Sequence, residues 1–390
     1  MDLALVNGQV MTDRGLEKGL AVVLAGDRIA AVRVAKDLPA NLRRFDLKGG
    51  LLLPGFIDVQ VNGGGGLLFN DSPTPDAIAT IGAAHRRFGT TGFLPTLISD
   101  EMGVVGKAIA ATREAMRRGV PGVLGVHIEG PFLATEQKGI HDAAKLRRMD
   151  EAGLDLLTSL EVGRTHVTVA PEIAGAPMIA RLAAAGVIVS AGHTNATYAQ
   201  TIAALDAGLT GFTHLFNAMS PIASRAPGVV GAALFDPRSW CGIIVDGQHV
   251  DPVVLKLALR CRPIDRFMLV TDAMPCVGTD LKTFTLQGKT ITVRSGACFD
   301  ERGRLAGSDL DMAGAVRNAV KLLGVSLADA SHMASRNPAE FLGLGAEVGR
   351  IAPGYRADLV LLDKDLDVRR TWIGGHSSED EPVLAAAGDA

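Results

Sequence analysis

Eight mostly apolar runs recur through the middle of this 390-residue chain, most of them ending in a polar residue or glycine. They are Leu51–Gln60, Gly92–Leu97, Gly122–Glu129, His166–Glu172, Val187–His193, Gly211–His214, Gly242–Asp246 and Phe267–Asp272. Most gaps between them hold Ala- and Arg-rich segments with helical spacing, such as Asp76–Phe88, Met102–Arg118 and Met178–Ala185. A strand covered on both faces reads as a continuous apolar run because neither face meets water. Eight such strands alternating with helices predict an α/β fold, a parallel (β/α)8 TIM-like barrel. The alternative is an open doubly wound sheet, but the Gly63–Gly66 run lacks the GxGxxG spacing that would argue for one.

The two ends of the chain have a different rhythm. Leu3–Val6, Leu20–Leu24 and Ile29–Val34 are short apolar runs separated by turn pairs such as Asn7-Gly8 and Gly26-Asp27. Near the other end, Ala357–Leu362 follows the Pro353-Gly354 turn, and Val368–Ile373 comes after it. These patterns predict one small β domain from residues 1–50 and 350–390, with a catalytic barrel over 51–349 between. The tail His376–Ala390, acidic and rich in small residues, is expected to be disordered.

A net charge of −3 and 4% aromatic residues offer no basic field or stacking surface for nucleic acid, and none for an acidic membrane. Any phosphate must be held by a few placed groups. The four cysteines, Cys241, Cys261, Cys276 and Cys298, have no metal-binding spacing and are expected to be free thiols. With no apolar run of membrane-spanning length and no leader pattern, the protein is expected to be cytoplasmic.

In a (β/α)8 barrel the reactive groups gather at the C-terminal ends of strands. Here the third run ends at His127-Ile128-Glu129, the fourth at Pro171-Glu172, the fifth at Gly192-His193 and the sixth at His214. The seventh leads into Asp246-Gly247-Gln248-His249, and the eighth ends at Thr271-Asp272. Polar groups beside buried strands are costly unless they are paired or ligated. One carboxylate and two imidazoles, Glu129, His193 and His214, suit Zn²⁺ with one position open. Glu172 would either orient a ligand or form an ion pair. Asp272 is placed to accept a proton from an attacking water and pass it to a leaving amine.

The same segments carry a family resemblance. PGFID (54–58), VHIEGPF (126–132), SAGHT (190–194), THLFNAM (213–219), VDGQH (245–249) and VTDA (270–273) resemble the amidohydrolase superfamily. Within it they resemble the N-acetylglucosamine-6-phosphate deacetylase family, and NPA (337–339) and GYRADLV (354–360) continue the match. HIEGPF and THLFNAM are the specific segments. The resemblance implies a barrel with a β-sandwich built from both chain ends, and removal of the acetyl group from an amino sugar phosphate. It implies Glu129, His193 and His214 as metal ligands, Asp272 as acid and base, and His141 near the scissile amide. It further implies substrate contacts from Ile140, Asn217, Ala218, Arg225, Asp246 and His249, and a sugar-lining loop at Leu305, Ala306 and Gly307. Some phosphate contacts would come from a partner subunit, which implies a homodimer.

Two departures stand out. Where many amidohydrolases carry His-x-His, this chain has Gln60-Val61-Asn62, which argues for one metal per subunit. Ala226 follows Arg225 where relatives often have an acidic residue. Two other functions compete. One is an amidohydrolase on another N-acetylated amino sugar phosphate, which the same motifs would serve, or on a small amide such as a cyclic ureide, whose enzymes often bridge two metals with a lysine where here Glu172 ends the fourth run. A non-catalytic ligand-binding barrel would be expected to lack a ligand or the acid.

Overall fold

The chain is described by a computed structural model covering residues 2–39 and 41–379. Eight parallel strands follow one another around a barrel: β1 (Phe56–Val61), β2 (Thr90–Ile98), β3 (Gly125–Glu129), β4 (Arg164–Val169), β5 (Ile188–Ala191), β6 (Gly211–Phe212), β7 (Trp240–Ile243) and β8 (Phe267–Leu269). Parallel neighbours cannot be joined by a tight turn, so each connection carries a helix. The first, Pro75–Arg86, starts where the Thr74 hydroxyl accepts the Ala77 N–H at 3.2 Å, with proline at the first helical position.

The barrel closes between its first strand and the chain just beyond its last. Val61 pairs with Ala273, the Asp272 N–H donates to the Gln60 carbonyl at 3.1 Å, and the Asn62 N–H to the Ala273 carbonyl at 3.0 Å. Deeper in, the buried Asp58 carboxylate accepts the N–H groups of Gln60 (3.1 Å) and Thr271 (3.4 Å) and the Thr271 hydroxyl.

Two of the expected runs divide. Leu51–Gln60 is two strands, Leu51–Pro54 and β1, with the break at Gly55. A Cβ at position 55 would fall 2.0 Å from the Thr91 hydroxyl oxygen, so the chain can turn there only as glycine. The fourth run stops at Val169, because Pro171 starts a one-turn helix, Pro171–Ala174, and Glu172 lies beyond the sheet.

Both chain ends contribute to a β-sandwich. One sheet orders Arg28–Val34, Leu20–Ala25, Leu3–Val6 and Arg43–Asp46. The other orders His376–Ser377, Val368–Ile373, Leu359–Leu362, Leu51–Pro54, Gln9–Thr12 and Gly15–Lys18. Leu5, Val22 and Ile29 of the first meet Val10, Leu359 and Trp372 of the second in a shared apolar layer. His376 and Ser377 pair with Ile373 and Trp372, so the expected disorder does not begin at His376. The remainder of that tail, 380–390, lies outside the described residues.

A further feature was not expected from the sequence. After β8 the chain forms an antiparallel arm of four strands, β9 (Thr283–Leu286), β10 (Lys289–Arg294), β11 (Ala297–Asp300) and β12 (Leu305–Ser308). It has an apolar cluster in which Leu286, Ile291 and Cys298 meet Ile98 at the end of β2 and Ile140 and Met274 of the barrel loops.

Burial pushes the Asp58 carboxyl up to about 7, outweighing the hydrogen bonds it accepts. The folded state therefore keeps a proton that the unfolded chain releases near its ordinary carboxyl pKa. That contribution to stability is fully present below about pH 4 and is lost as pH rises towards about 7. Asp58→Asn cannot ionise and should gain stability over the parent as pH rises, by at most about 4 kcal/mol at about 1.4 kcal/mol per unit. Urea unfolding of both chains on either side of this window reads the difference; one that does not grow with pH overturns the assignment.

Candidate active site

The C-terminal strand ends surround a cavity of about 460 Å³. Its walls bring together Glu129, His193, His214, Asp272, Ile140, His141, Asn217, Ala218, His249 and Leu305–Gly307. Three of these residues, each just past a strand, hold backbones that side chains rarely adopt: His193 at φ +49°, His214 at +33° and Asp272 at +52°. Such conformations cost on the order of 1–3 kcal/mol each and persist where the surroundings impose them. The strain turns all three side chains over the barrel mouth.

Glu129, His193 and His214 converge from β3 and from the ends of β5 and β6. Glu129 Oε1 lies 3.1 Å from His193 Nε2 and 2.9 Å from His214 Nε2, and the two nitrogens are 3.1 Å apart. All three residues are buried. His193 Nδ1 faces the Gln137 carbonyl at 2.8 Å, which can only accept, so Nδ1 carries a proton. With a proton on Nδ1, His193 presents Nε2 to the point where Glu129 Oε1 and His214 Nε2 also converge, the arrangement of a ligand held by a carbonyl behind it. Burial raises the Glu129 carboxyl, but hydrogen bonding and charge from His193 and His214 outweigh it and hold the pKa well below the usual range. His214 moves the other way: burial disfavours its charge, yet Glu129 prevails and raises its pKa. The donor set fits a divalent metal ion, and among the described residues it is the one such cluster of three.

Asp272 stands across the mouth. Its Oδ1 accepts from Asn62 Nδ2 at 2.7 Å and from Gln60 Nε2 at 3.1 Å, and the same Gln60 amide lies 3.3 Å from Glu129 Oε2. The Gln60 amide thus ties the two carboxylates together, and Asn62 adds a second donor to Asp272. Burial, then the Glu129 charge, raises the Asp272 pKa.

His141 packs beside His193, ring centroids 4.4 Å apart. Its Nδ1 accepts the Ser99 N–H at 3.3 Å and lies 2.8 Å from the Ser99 hydroxyl. A backbone N–H can only donate, so Nδ1 is bare and the proton of the neutral ring sits on Nε2. Burial, with the His193 charge, holds the pKa of His141 well below the usual range and keeps the ring neutral.

Two residues expected to contact the substrate do not line the cavity of this chain. Asp246 stands behind the wall: its carboxylate accepts His249 Nδ1 at 2.6 Å and the N–H groups of Gln248 and His249 at 2.8 Å, leaving it to anchor His249. Arg225 is exposed in the loop before helix Gly228–Phe235 and does not line the cavity of its own chain. Conversely, Lys138 and Arg304 line the cavity and were not singled out, although each adjoins a segment that was. Ser99 and Gln137 were also missed, since one acts through its backbone N–H and the other through its carbonyl. Glu172 makes no ion pair among the described residues. It accepts the Thr194 hydroxyl and the Asn195 N–H, both at 2.6 Å, and so fixes the loop that follows His193.

A model of the amidohydrolase family matches residues 51–377. An N-acetylgalactosamine-6-phosphate deacetylase of Shewanella sp. (strain ANA-3) is 43% identical over 94% of this chain and 93% of its own. An N-acetylglucosamine-6-phosphate deacetylase of Haemophilus influenzae is 35% identical over 97% and 100%. Among solved structures, an N-acetylglucosamine-6-phosphate deacetylase from Pasteurella multocida superposes with a TM-score of 0.94 at 36% identity, covering 97% of this chain and 99% of that one.

The loop anchored by Glu172 generates a prediction. Glu172→Ala should leave the fold intact and weaken divalent metal binding by about 10- to 100-fold, as expected when the support of a ligand is removed. Titration against a chelator of known affinity measures this. Unchanged affinity would show that the loop holds His193 without Glu172.

Proposed function

The chain belongs to the amidohydrolase family, and from that premise we propose that it hydrolyses the acetamide of N-acetyl-D-glucosamine 6-phosphate to D-glucosamine 6-phosphate and acetate. One observation carries the reading: Glu129, His193, His214, Asp272 and His141 all face a single cavity of about 460 Å³. A second reading, the same reaction on the galactosamine epimer, is favoured by the 43% identity to the Shewanella enzyme. The epimers differ at C4 and present the same acetamide to the same groups.

Glu129, His193 and His214 would hold one divalent ion, and Zn²⁺ suits them. Their mutual spacings of 2.9–3.1 Å approach the roughly 3.3 Å between neighbouring ligands of a tetrahedral zinc. When bound, such an ion polarises a carbonyl and makes a coordinated water acidic near neutral pH. The chain supplies the rest. Asp272, with Oδ1 occupied by Gln60 and Asn62, has Oδ2 to accept the proton of the attacking water and then deliver it to the departing nitrogen. His141 Nε2–H donates to the carbonyl oxygen as negative charge grows there. Gln60 and Asn62 offer amides where imidazoles would be needed to hold a second zinc tightly, and we assign one ion per subunit.

Asn217, Ala218 and His249 form the wall suited to the sugar phosphate, with Lys138 and Arg304 adding positive charge. Arg225, exposed and away from its own cavity, is read as serving the cavity of a second copy in a homodimer, where its planar fork suits a phosphate dianion. No helix among the described residues is long and apolar enough to cross a membrane, and the free cysteines suit a reducing cytoplasm.

Acetate release from both epimers, with and without chelator, tests the reaction; the expected result is chelator-sensitive turnover. No turnover by zinc-loaded, folded protein would overturn it. Metal analysis after dialysis should find one equivalent per chain, and two would refute the single-ion assignment. Asp272→Asn should keep its metal and lose about 10²- to 10⁴-fold in kcat. Near-parental turnover would remove Asp272 from its role.

A further inference from the structure

The turn joining β9 to β10 breaks a local rule. Leu286 pairs with Lys289, so the connection is the two-residue Gln287-Gly288, with φ of +48° and +76°. Both positions of such a turn need the left-handed region, which favours Asn, Asp or Gly at the first. A long side chain there is held against its backbone preference, and departures of this kind concentrate where the side chain has a use.

The Gln287 side chain is engaged at both its oxygen and its nitrogen. Its Oε1 accepts the Asp142 N–H at 2.7 Å, and its Nε2 donates to the Ser99 carbonyl at 2.7 Å. At the far side of the turn, Lys289 Nζ donates to the Ile140 carbonyl at 2.9 Å. The arm therefore grips the chain on both sides of His141 and joins it to Ser99, the residue whose N–H and hydroxyl meet His141 Nδ1. Among the described residues no protein group bonds His141 Nε2, and the residue lines the cavity.

We propose that Gln287 is a positioning residue for the reaction: by bridging Ser99 to Asp142 it fixes the ring orientation and tautomer of His141, and hence where Nε2–H points. The inference rests on the reading of His141 as the donor to the acetamide carbonyl. It assigns to the inserted arm, outside the barrel, a part in the geometry of the reacting centre.

The test uses the full-length, metal-loaded enzyme with the amino sugar phosphate it turns over. Gln287→Met keeps the length of the side chain and removes both hydrogen bonds; Gln287→Gly supplies the residue the turn favours. Both should retain metal and melting temperature, while kcat falls about 10- to 100-fold, the scale of a reacting group misplaced by about 1 Å. KM should stay within about threefold, because the lost interaction belongs to the transition state. In a His141→Asn background, adding Gln287→Met should change kcat by less than about twofold, since the two act as one unit. Parental kcat in both Gln287 variants overturns the clamp. So does a lowered melting temperature with kcat intact, or an undiminished loss in the His141→Asn background. Full turnover by His141→Asn alone would overturn the reading of His141 and the clamp with it, and that single variant tells the two failures apart.

Discussion

A carboxylate and two imidazoles are withdrawn from water at one point, and the site is organised around what that demands. Glu129 is 2% exposed, and a buried carboxylate without compensation costs several kcal/mol. Compensation must arrive from neighbouring strands and aim at the same oxygen. A parallel barrel provides the convergence because every strand delivers its C-terminal end to one face. The left-handed residues at positions 193, 214 and 272 complete the aim, and the Gln137 carbonyl and the Glu172 carboxylate hold the pieces from behind. Each support is itself engaged by hydrogen bonds, so the site hangs from its neighbours rather than from three isolated side chains.

The barrel interior beneath the site is polar as well. His127 sits between the hydroxyls of Thr96 at 3.1 Å and Thr168 at 2.8 Å, and Thr168 lies 2.6 Å from Thr213. His166 stacks on His127 with centroids 4.1 Å apart and meets the Ser190 hydroxyl at 2.8 Å. Burial lowers the pKa of His127 to about 4 and that of His166 well below the usual range, so both are neutral. A hydrogen-bonded floor of this kind fixes tautomers and rotamers where an aliphatic layer would fix only volume. It also leaves Glu129 without a formal positive charge beneath it, so its compensation must come from the mouth of the barrel.

Much of this was legible in the sequence because strands buried on both faces leave little room for polar residues, and those that occur stand out at the ends. Glu129, His193, His214 and Asp272 were visible for that reason. The division of Leu51–Gln60 was not, because it depends on Gly55 lying against Thr91, a contact made only in the folded chain. Asp246 was placed at the substrate because it shares a segment with His249; its actual place, behind that imidazole, depends on side-chain geometry. The arm left a signal that was not used: alternating apolar residues in Thr283–Leu286 and Lys289–Arg294 flank a two-residue turn ending in glycine. Ser99 had no such signal, since its contribution includes a backbone N–H that any residue would supply.

The arm packs through an apolar cluster shared with the end of β2 and the barrel loops, while its last strand, β12, supplies Leu305–Gly307 to the cavity wall. On the proposed function, proton transfer would be anchored in the barrel, and part of the sugar's outline would be drawn by the four-stranded arm. Those two elements can drift at different rates. A lineage could exchange one hexosamine for another by remodelling the hairpin's surface, with the barrel left untouched. The limit on that freedom is the turn at Gln287, whose side chain ties the arm to Ser99 and Asp142 beside His141, so that the hairpin cannot be moved without moving that loop.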